Sequence, residues 1–283
     1  MFVFIGIFIC MGAVIGGYIM HGGNIGILIQ INEFIILGGC AIGSLISANG
    51  MGGFTASIKG VLGLLKPDPV SKQAYLEVLK MMYELFNVAR KEGLLGLEKH
   101  IETPAESDII SKYPSFLGNH HASDFFCDTM KVILTGAVSP HDLAEMMEVD
   151  LEVAHHEAKA IPDSIQTVGD AMPGFGIVAA VLGVIITMGK IGGAASEIGH
   201  SVAAALVGTF LGILLAYGVF APMAKFMEKR VNSEHQYMLC LRSALFSFAR
   251  GESPITCVEF ARRNIDPETR PGFSELEESV KAG

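Results

Sequence analysis

Residues 169–189 read "GDAMPGFGIVAAVLGVIITMG", and this stretch decides the class of fold. It is long enough to cross the roughly 30 Å hydrocarbon core of a bilayer as a helix, and Asp170, near its start, is its only ionisable residue. It also contains Pro173 and five glycines, which weaken helices in water. Because small residues let membrane helices approach closely, the stretch predicts a membrane-spanning helix that packs tightly against other helices.

Composition and three further apolar stretches extend this prediction to the whole chain. The chain is 51% hydrophobic with a mean hydropathy of +0.47, yet 17% of its residues are charged. We therefore expect an all-α membrane protein, with four transmembrane helices and a large helical cytoplasmic domain. The predicted spans cover residues 2–20, 34–58, 170–189 and 200–224. The predicted regions are a first transmembrane hairpin (1–60), a cytoplasmic helical domain (61–168), a second transmembrane hairpin (169–224) and a cytoplasmic helical tail (225–283).

The basic residues predict the orientation of these spans. The short connections 21–33 and 190–200 lie on one side and contain only Lys190 among 20 lysines and arginines. Since basic residues concentrate on the cytoplasmic side, both termini are predicted to be cytoplasmic. The net charge of −9 argues against a nucleic-acid partner. The five cysteines form no CxxC pair and so argue against a zinc site or a disulfide framework.

Small residues four apart recur in the last two predicted spans and extend around both helices. We interpret them as more close-packing surface than a single antiparallel contact needs, so a helix from a partner or a second copy is expected there. The residues predicted to pack against that helix are Gly176, Ala179, Gly183, Gly208 and Gly212.

The prolines of the second hairpin indicate a hinge. Its polar residues indicate that an ionisable side chain is missing at membrane depth. Pro173 is predicted in the first turn of the third span and Pro222 at the end of the fourth. Between residues 171 and 224 the ionisable side chains lie only in the outer connection, which leaves the hydroxyls of Thr187 and Thr209 at depth. Ion-driven membrane proteins usually carry an ionisable group there. A second subunit is therefore expected to supply the carboxylate.

The aqueous regions are predicted to be helical. Ser71 is expected to cap one helix, and Ser139 to begin another that runs to about residue 160 and is broken by Pro162. Two helices are expected in the tail, at residues 233–250 and 273–281.

The chain resembles a known family, the MotA stator subunits of the flagellar motor, over essentially its whole length. The resemblance is carried by "GGYIMHGG", "VARKEGLLGLEKHIETP", "GDAMPGFGIVAAVLGV", "ALVGTFLGILLAYGVFAPMA" and "RPGFSELEE". It implies a multi-pass protein of the bacterial inner membrane, surrounded by lipid, that forms a homo-oligomer, a pentamer, around a MotB-type single-span partner. The partner's aspartate would carry the ion, and the second hairpin would line the ion path.

The resemblance also assigns roles to residues. Arg90 and Glu98, with Lys91 and Lys99 beside them, match the segment that contacts the rotor switch protein of the FliG type. Pro173 and Pro222 match the family's two functional prolines, and Asp170 lies next to the first of them.

The same resemblance predicts which ion the protein conducts. Sodium-driven relatives carry a threonine at the position of Ala180, which leaves Thr209 as the nearest deep hydroxyl. One hydroxyl and a carboxylate are few oxygens for a desolvated sodium ion, so we expect protons, no cofactor and no enzymatic activity.

Three alternatives remain open from the sequence. One is a proton-channel subunit of the ExbB or TolQ type that energises outer-membrane processes, although those chains resemble this one only in the second hairpin. Another is a membrane metalloenzyme, suggested by His120-His121 and His155-His156-Glu157, but adjacent histidines point to different helix faces. The third is a membrane scaffold without chemistry.

Overall fold

The computed structural model describes residues 2–192 and 194–281, and within them the chain is helical without strands. The chain divides into two compact units: one joins the residues up to Pro67 with Glu157–Lys229, and the other joins Asp68–His156 with the residues from Arg230 onward. Four helical stretches are long and apolar enough to cross a membrane: Phe2–Met20, Ile25–Gly63, Pro140–Met188 and Ala195–Ala249. The predicted fold class, a helical protein with four membrane spans, is confirmed.

The first unit, called the membrane unit below, begins with α1 (Phe2–Met20), the one-turn helix α2 (Ile25–Leu28) and α3 (Ile31–Gly63). α3 bends at Gly50, whose φ of 66° is a left-handed conformation that favours glycine. Because α3 starts before residue 34, Glu33 lies in its first turn. The sequence analysis placed Glu33 in the outer connection instead.

The membrane unit continues with the C-terminal part of α8 (Pro140–Met188), α9 (Ala195–Leu215), a π-helical turn (Ala216–Phe220) and the start of α10 (Ala221–Ala249). One buried cluster joins these helices around Leu37, Met172 and Leu211. Another, at the start of α10, contains Ile165 and Met223. The apolar side chains outside these clusters are largely exposed, as expected for helices that face lipid.

The prolines do not interrupt these helices as the sequence analysis predicted. Pro162 leaves α8 unbroken, and Pro173 lies deep within α8 rather than in a first turn. Pro162 is buried, and its neighbours Ile161 and Ile165 pack into the cluster with Met223. Since a proline removes one backbone hydrogen bond, this packing offsets the loss.

Pro222 likewise does not end its helix. The helix passes through the π-helical turn Ala216–Phe220 and continues as α10. Single π turns inside α-helices are rare and occur frequently at functional sites, and here the turn ends two residues before Pro222.

The second unit, called the helical unit, contains α4 (Lys72–Glu92), α5 (Glu98–Glu102), α6 (Pro114–Leu117), α7 (His120–Thr135), the beginning of α8, most of α10, α11 (Pro254–Arg263) and α12 (Phe273–Lys281). The Ser71 side chain accepts a hydrogen bond from the Ala74 amide at 3.2 Å, which confirms the predicted cap of α4. α12 occupies the predicted residues, whereas α11 was not predicted. Stacking of Phe86 on Phe248, 4.4 Å apart, helps to close the core.

Candidate functional site

The contact between α8 and α9 in the membrane unit is built from the small residues that the sequence analysis selected. A Cβ atom on Gly176 would lie 2.7 Å from the Gly208 carbonyl oxygen, and one on Gly212 would lie 2.6 Å from that of Met172. Further along, a Cβ on Gly183 would lie 2.7 Å from the Ala205 methyl group. The two helices therefore run antiparallel at a separation that side chains would prevent.

This geometry places these residues in the antiparallel contact within the chain. Gly176, Ala179, Gly208 and Gly212 are buried against the chain's own helices. The side chains that α8 and α9 leave exposed are branched and aliphatic, among them Ile177, Val181, Ile185, Leu206 and Ile213. A partner helix would meet this aliphatic surface. Packing of Gly176, Ala179, Gly183, Gly208 and Gly212 against a partner stays a prediction.

The predicted hinge residues lie near the π-helical turn. In α8, Pro173 is half-buried and Asp170 is exposed, where it accepts a hydrogen bond from Gln166 Nε2 at 2.7 Å. Pro222 is exposed. A Cβ on Gly169 would lie 2.8 Å from Cβ of Phe220, the last residue of the π turn, so this part of α8 packs closely against the non-standard turn. A hinge role for the two prolines stays a prediction.

The two hydroxyl groups that were predicted at depth are directed at backbone carbonyl groups of their own chain. Thr187 is fully buried and donates to the Gly183 carbonyl at 2.8 Å. Thr209 points toward the Gly176 carbonyl at 3.5 Å, the long limit of a hydrogen bond. Ala180, half-buried, brings no oxygen from its side chain. The hydroxyl and methyl side chains around Ala180 and Thr209 thus offer few oxygen ligands for a metal cation, apart from the Glu33 carboxyl group described next.

Sequence reasoning missed one polar group in this region. The Glu33 side chain is 7% exposed and reaches the contact between α8 and α9, next to Gly208. The expectation that only hydroxyls lie at depth considered the second hairpin alone and did not include this carboxyl group. In sequence, Glu33 stands directly before an apolar run, which does not show against which helices it packs.

On the helical unit, the four residues with a predicted rotor contact are exposed. Arg90 and Lys91 lie in the last turn of α4, and Glu98 and Lys99 begin α5. Gly93, with φ of 80°, turns the chain between them into a short 3₁₀ helix. None of the four forms an ion pair within the described residues. Their charges are available to another molecule.

A groove of about 590 Å³ borders Arg90. Apolar side chains of Leu94, Val138, Phe248 and Pro254 line much of it. Leu95, in the same turn, is 82% exposed. The charged turn is thus combined with an apolar surface, a composition common in protein interfaces.

His100 anchors α5 beneath the exposed Glu98 and Lys99. It is 1% exposed, and its Nδ1 lies 2.8 Å from Ser107 Oγ, which also accepts from the amides of Ile109 and Ile110. Burial lowers the pKa of His100 below its ordinary 6.5, although Asp108 acts in the opposite direction. Because Ser107 Oγ already accepts two amide N–H groups, its hydroxyl group is left to donate a hydrogen bond to Nδ1 of the neutral imidazole.

Acidification is expected to loosen this anchor. Because the folded pKa of His100 is lowered, its stabilising effect is complete above about pH 6.5 and is lost as the pH falls below that value. Hydrogen-exchange protection factors of residues 94–113 should decrease between about pH 7 and pH 5. His100→Gln should flatten this pH dependence, whereas His120→Gln, at an exposed histidine, should preserve it. The reverse pattern would contradict the assignment.

The histidines that suggested a metalloenzyme do not converge. His120 and His121 are exposed at the start of α7, and His155 stacks on His235 with ring centroids 4.0 Å apart. Within residues 2–192 and 194–281, no group of three or more His, Cys, Asp or Glu side chains could hold a metal ion.

The fold defines a helical protein with four stretches that are long and apolar enough to cross a membrane. Residues 118–239 match the family described as "MotA/TolQ/ExbB proton channel family", and residues 4–93 match "Motility protein A N-terminal". The chain is 36% identical to motility protein A of Salmonella typhimurium over 282 residues, which cover 100% of this chain and 96% of the relative. The chain belongs to the motility protein A family.

Two further similarities agree with this assignment. Chemotaxis protein LafT of Vibrio parahaemolyticus is 34% identical over 274 residues, covering 97% of this chain and 96% of LafT. A solved structure described as C. jejuni MotAB shares the fold with a TM-score of 0.77 at 21% identity, covering 96% of this chain and 98% of that one. The match to the motility-specific N-terminal region also separates the chain from the ExbB and TolQ branch.

Proposed function

We propose that this chain is a stator subunit of the flagellar motor, which forms a proton channel with a MotB-type subunit and converts ion flow into torque on the rotor. The observation that carries the proposal is its full-length similarity to motility protein A. The exposed charged turn on the helical unit supports a contact with another protein. The C. jejuni relative in the structural comparison is a MotAB complex.

In this proposal the chain is a multi-pass protein of the bacterial inner membrane, with both termini and the helical unit in the cytoplasm. The small number of basic residues in the connections 21–33 and 190–200 supports that orientation. Five copies would surround the partner's single span, with lipid outside the ring. The exposed aliphatic side chains of α8 and α9 would face the partner.

The proposed cycle depends on the unfavourable free energy of placing a charge in an apolar site. A proton neutralises the partner's aspartate and so allows it to move along the aliphatic surface of α8 and α9. Release on the inner side, near Asp170, Pro173 and Pro222, restores the charge and resets the contact. Each proton that crosses supplies about 2.3 kcal/mol per 100 mV. Arg90, Lys91, Glu98 and Lys99 would transmit the motion to the FliG-type switch protein.

Protons are the proposed ion, with no cofactor and no catalytic activity. Ala180 adds no side-chain oxygen, and the hydroxyls of Thr187 and Thr209 are directed at carbonyl groups of their own chain. A metal cation that leaves water needs several oxygen ligands, whereas a proton needs one basic atom.

Complementation tests this proposal. The chain and its cell's MotB-type subunit, expressed together in a strain that lacks its stators, should restore swimming, and the speed should follow pH rather than sodium concentration at fixed pH. Expression of either subunit alone is the control. A stable complex that never supports swimming would contradict the stator assignment, and a speed that follows sodium would contradict the choice of ion.

A further inference from the structure

Glu33 is a buried acid without a polar partner in the membrane unit. Its side chain is 7% exposed, and Oε2 is inaccessible to solvent and has no hydrogen-bond partner among the described residues. A charged carboxylate without a partner is very costly in an apolar interior, whereas the neutral acid costs much less. The structure therefore accommodates Glu33 as the protonated acid.

The carboxyl group lies next to Gly208, at the close contact between α8 and α9. A Cβ atom on Gly208 would collide with Oε2 of Glu33, and it would lie 2.9 Å from the Ala179 methyl group and 3.2 Å from the Ala180 amide nitrogen. Gly208 is thus required where α3 meets α8 and α9. A larger residue there would displace the acid.

This contact lies near the middle of the second hairpin. Ala179 precedes the end of α8 at Met188 by about 14 Å along the helix axis. Glu33 itself lies in the first turn of α3, so the first hairpin brings an acid from the start of α3 against the middle of the second hairpin. An acid among apolar membrane helices usually belongs to an ion path.

Among the described residues, no charged group is paired with Glu33. α9 packs against both α2 and α3, and α2 contains no ionisable residue. The nearest ionisable residues along each neighbouring helix are Asp170 and Lys190 for α8, His200 and Glu197 for α9, and Cys40 and Lys59 for α3. Within the described residues, none of these forms a hydrogen bond or ion pair with Glu33.

We propose that Glu33 is a proton-binding site within this chain and that it exchanges protons with the ion path. The carboxyl O–H bond forms with a proton delivered by water while α3 is separated from the α8 and α9 contact, and it breaks when the proton returns to water. Deprotonation leaves a charge against Ala179 and Gly208, so release accompanies separation of α3 from the α8 and α9 contact. This site rests on the proposed function and adds a second acid to the one assigned to the partner.

Glu33→Gln tests the site because it keeps the shape of the side chain and removes proton exchange. Glu197→Gln is the matched control, since Glu197 is exposed in the first turn of α9. Both variants are purified as full chains with the MotB-type subunit and compared with the parent complex for assembly. Proton flux is then measured in liposomes, and pH-difference infrared spectra report the protonated carboxyl groups.

Glu33→Gln is expected to assemble but to lower proton flux by about tenfold or more, and to remove an infrared band of a protonated carboxyl group that disappears at high pH. Glu33→Asp should restore part of the flux with a shifted pH profile, which a packing role alone would not produce. Glu197→Gln should change neither measurement. Unchanged flux and spectra in Glu33→Gln would overturn the proposal, and so would lost flux without a titrating band. A parent complex that conducts no protons would instead refute the channel function, while the spectra still decide whether Glu33 titrates.

Discussion

Gly176→Leu should destabilise the α8 and α9 hairpin by about 3 kcal/mol or more, because the new side chain has no room. Even its Cβ atom would lie 2.7 Å from the Gly208 carbonyl oxygen and 3.2 Å from Thr209 Cα, so the backbone of α9 would have to move. Leucine favours a helix over glycine by about 1 kcal/mol. A loss of stability would therefore reflect the contact alone.

Gly174→Leu provides the control on the same helix. Gly174 is exposed, and a Cβ there would meet nothing within 4 Å. The purified chain in detergent is heated, and the temperature at which half of it remains folded is compared. We expect a decrease of about 5–10 °C for Gly176→Leu and none for Gly174→Leu. Equal behaviour of the two variants would show that α8 and α9 are not held at this separation.

The membrane spans could be predicted from the sequence because hydropathy and length act locally. A helix such as α1 needs only a run of apolar residues to be recognised. The effect of the prolines could not be predicted in this way. Pro162 lies within an unbroken helix because its neighbours are packed against residues about 60 positions further along, such as Met223. Tertiary packing outweighed the local preference.

Two features, α11 and the position of Glu33, were not predicted from the sequence, for different reasons. α11 could have been found, since Ser253 caps its first turn and Pro254 is its first residue, the usual signals of a helix start. The position of Glu33 could not, because it depends on how two hairpins pack. In sequence, Glu33 is merely the last polar residue before an apolar run. The exposure of Arg90 and Glu98 was predictable, but their role depends on the family resemblance.

Reversal of charge in the turn between α4 and α5 is expected to abolish most swimming without unfolding the chain. Arg90 and Glu98 are exposed and form no ion pair in the described residues, so neither supports the fold. A single exposed pair contributes about 0–1 kcal/mol. Reversal, however, replaces attraction by repulsion at a contact where complementary charges set orientation and encounter rate. Arg90→Glu and Glu98→Lys should each reduce swimming speed by more than about half.

Two exposed positions on other helices of the same unit serve as controls for this experiment. Lys131→Glu and Glu152→Lys introduce the same changes of charge on α7 and α8. Complex yield and swimming speed are measured for all four variants. Net charge changes equally in Arg90→Glu and Lys131→Glu, and equally in Glu98→Lys and Glu152→Lys. A loss of swimming speed confined to the Arg90 and Glu98 variants would therefore identify the turn as the surface that transmits force. Equal losses at Lys131 and Glu152 would instead indicate a general effect of net charge on the helical unit, and the rotor contact would then have to lie elsewhere.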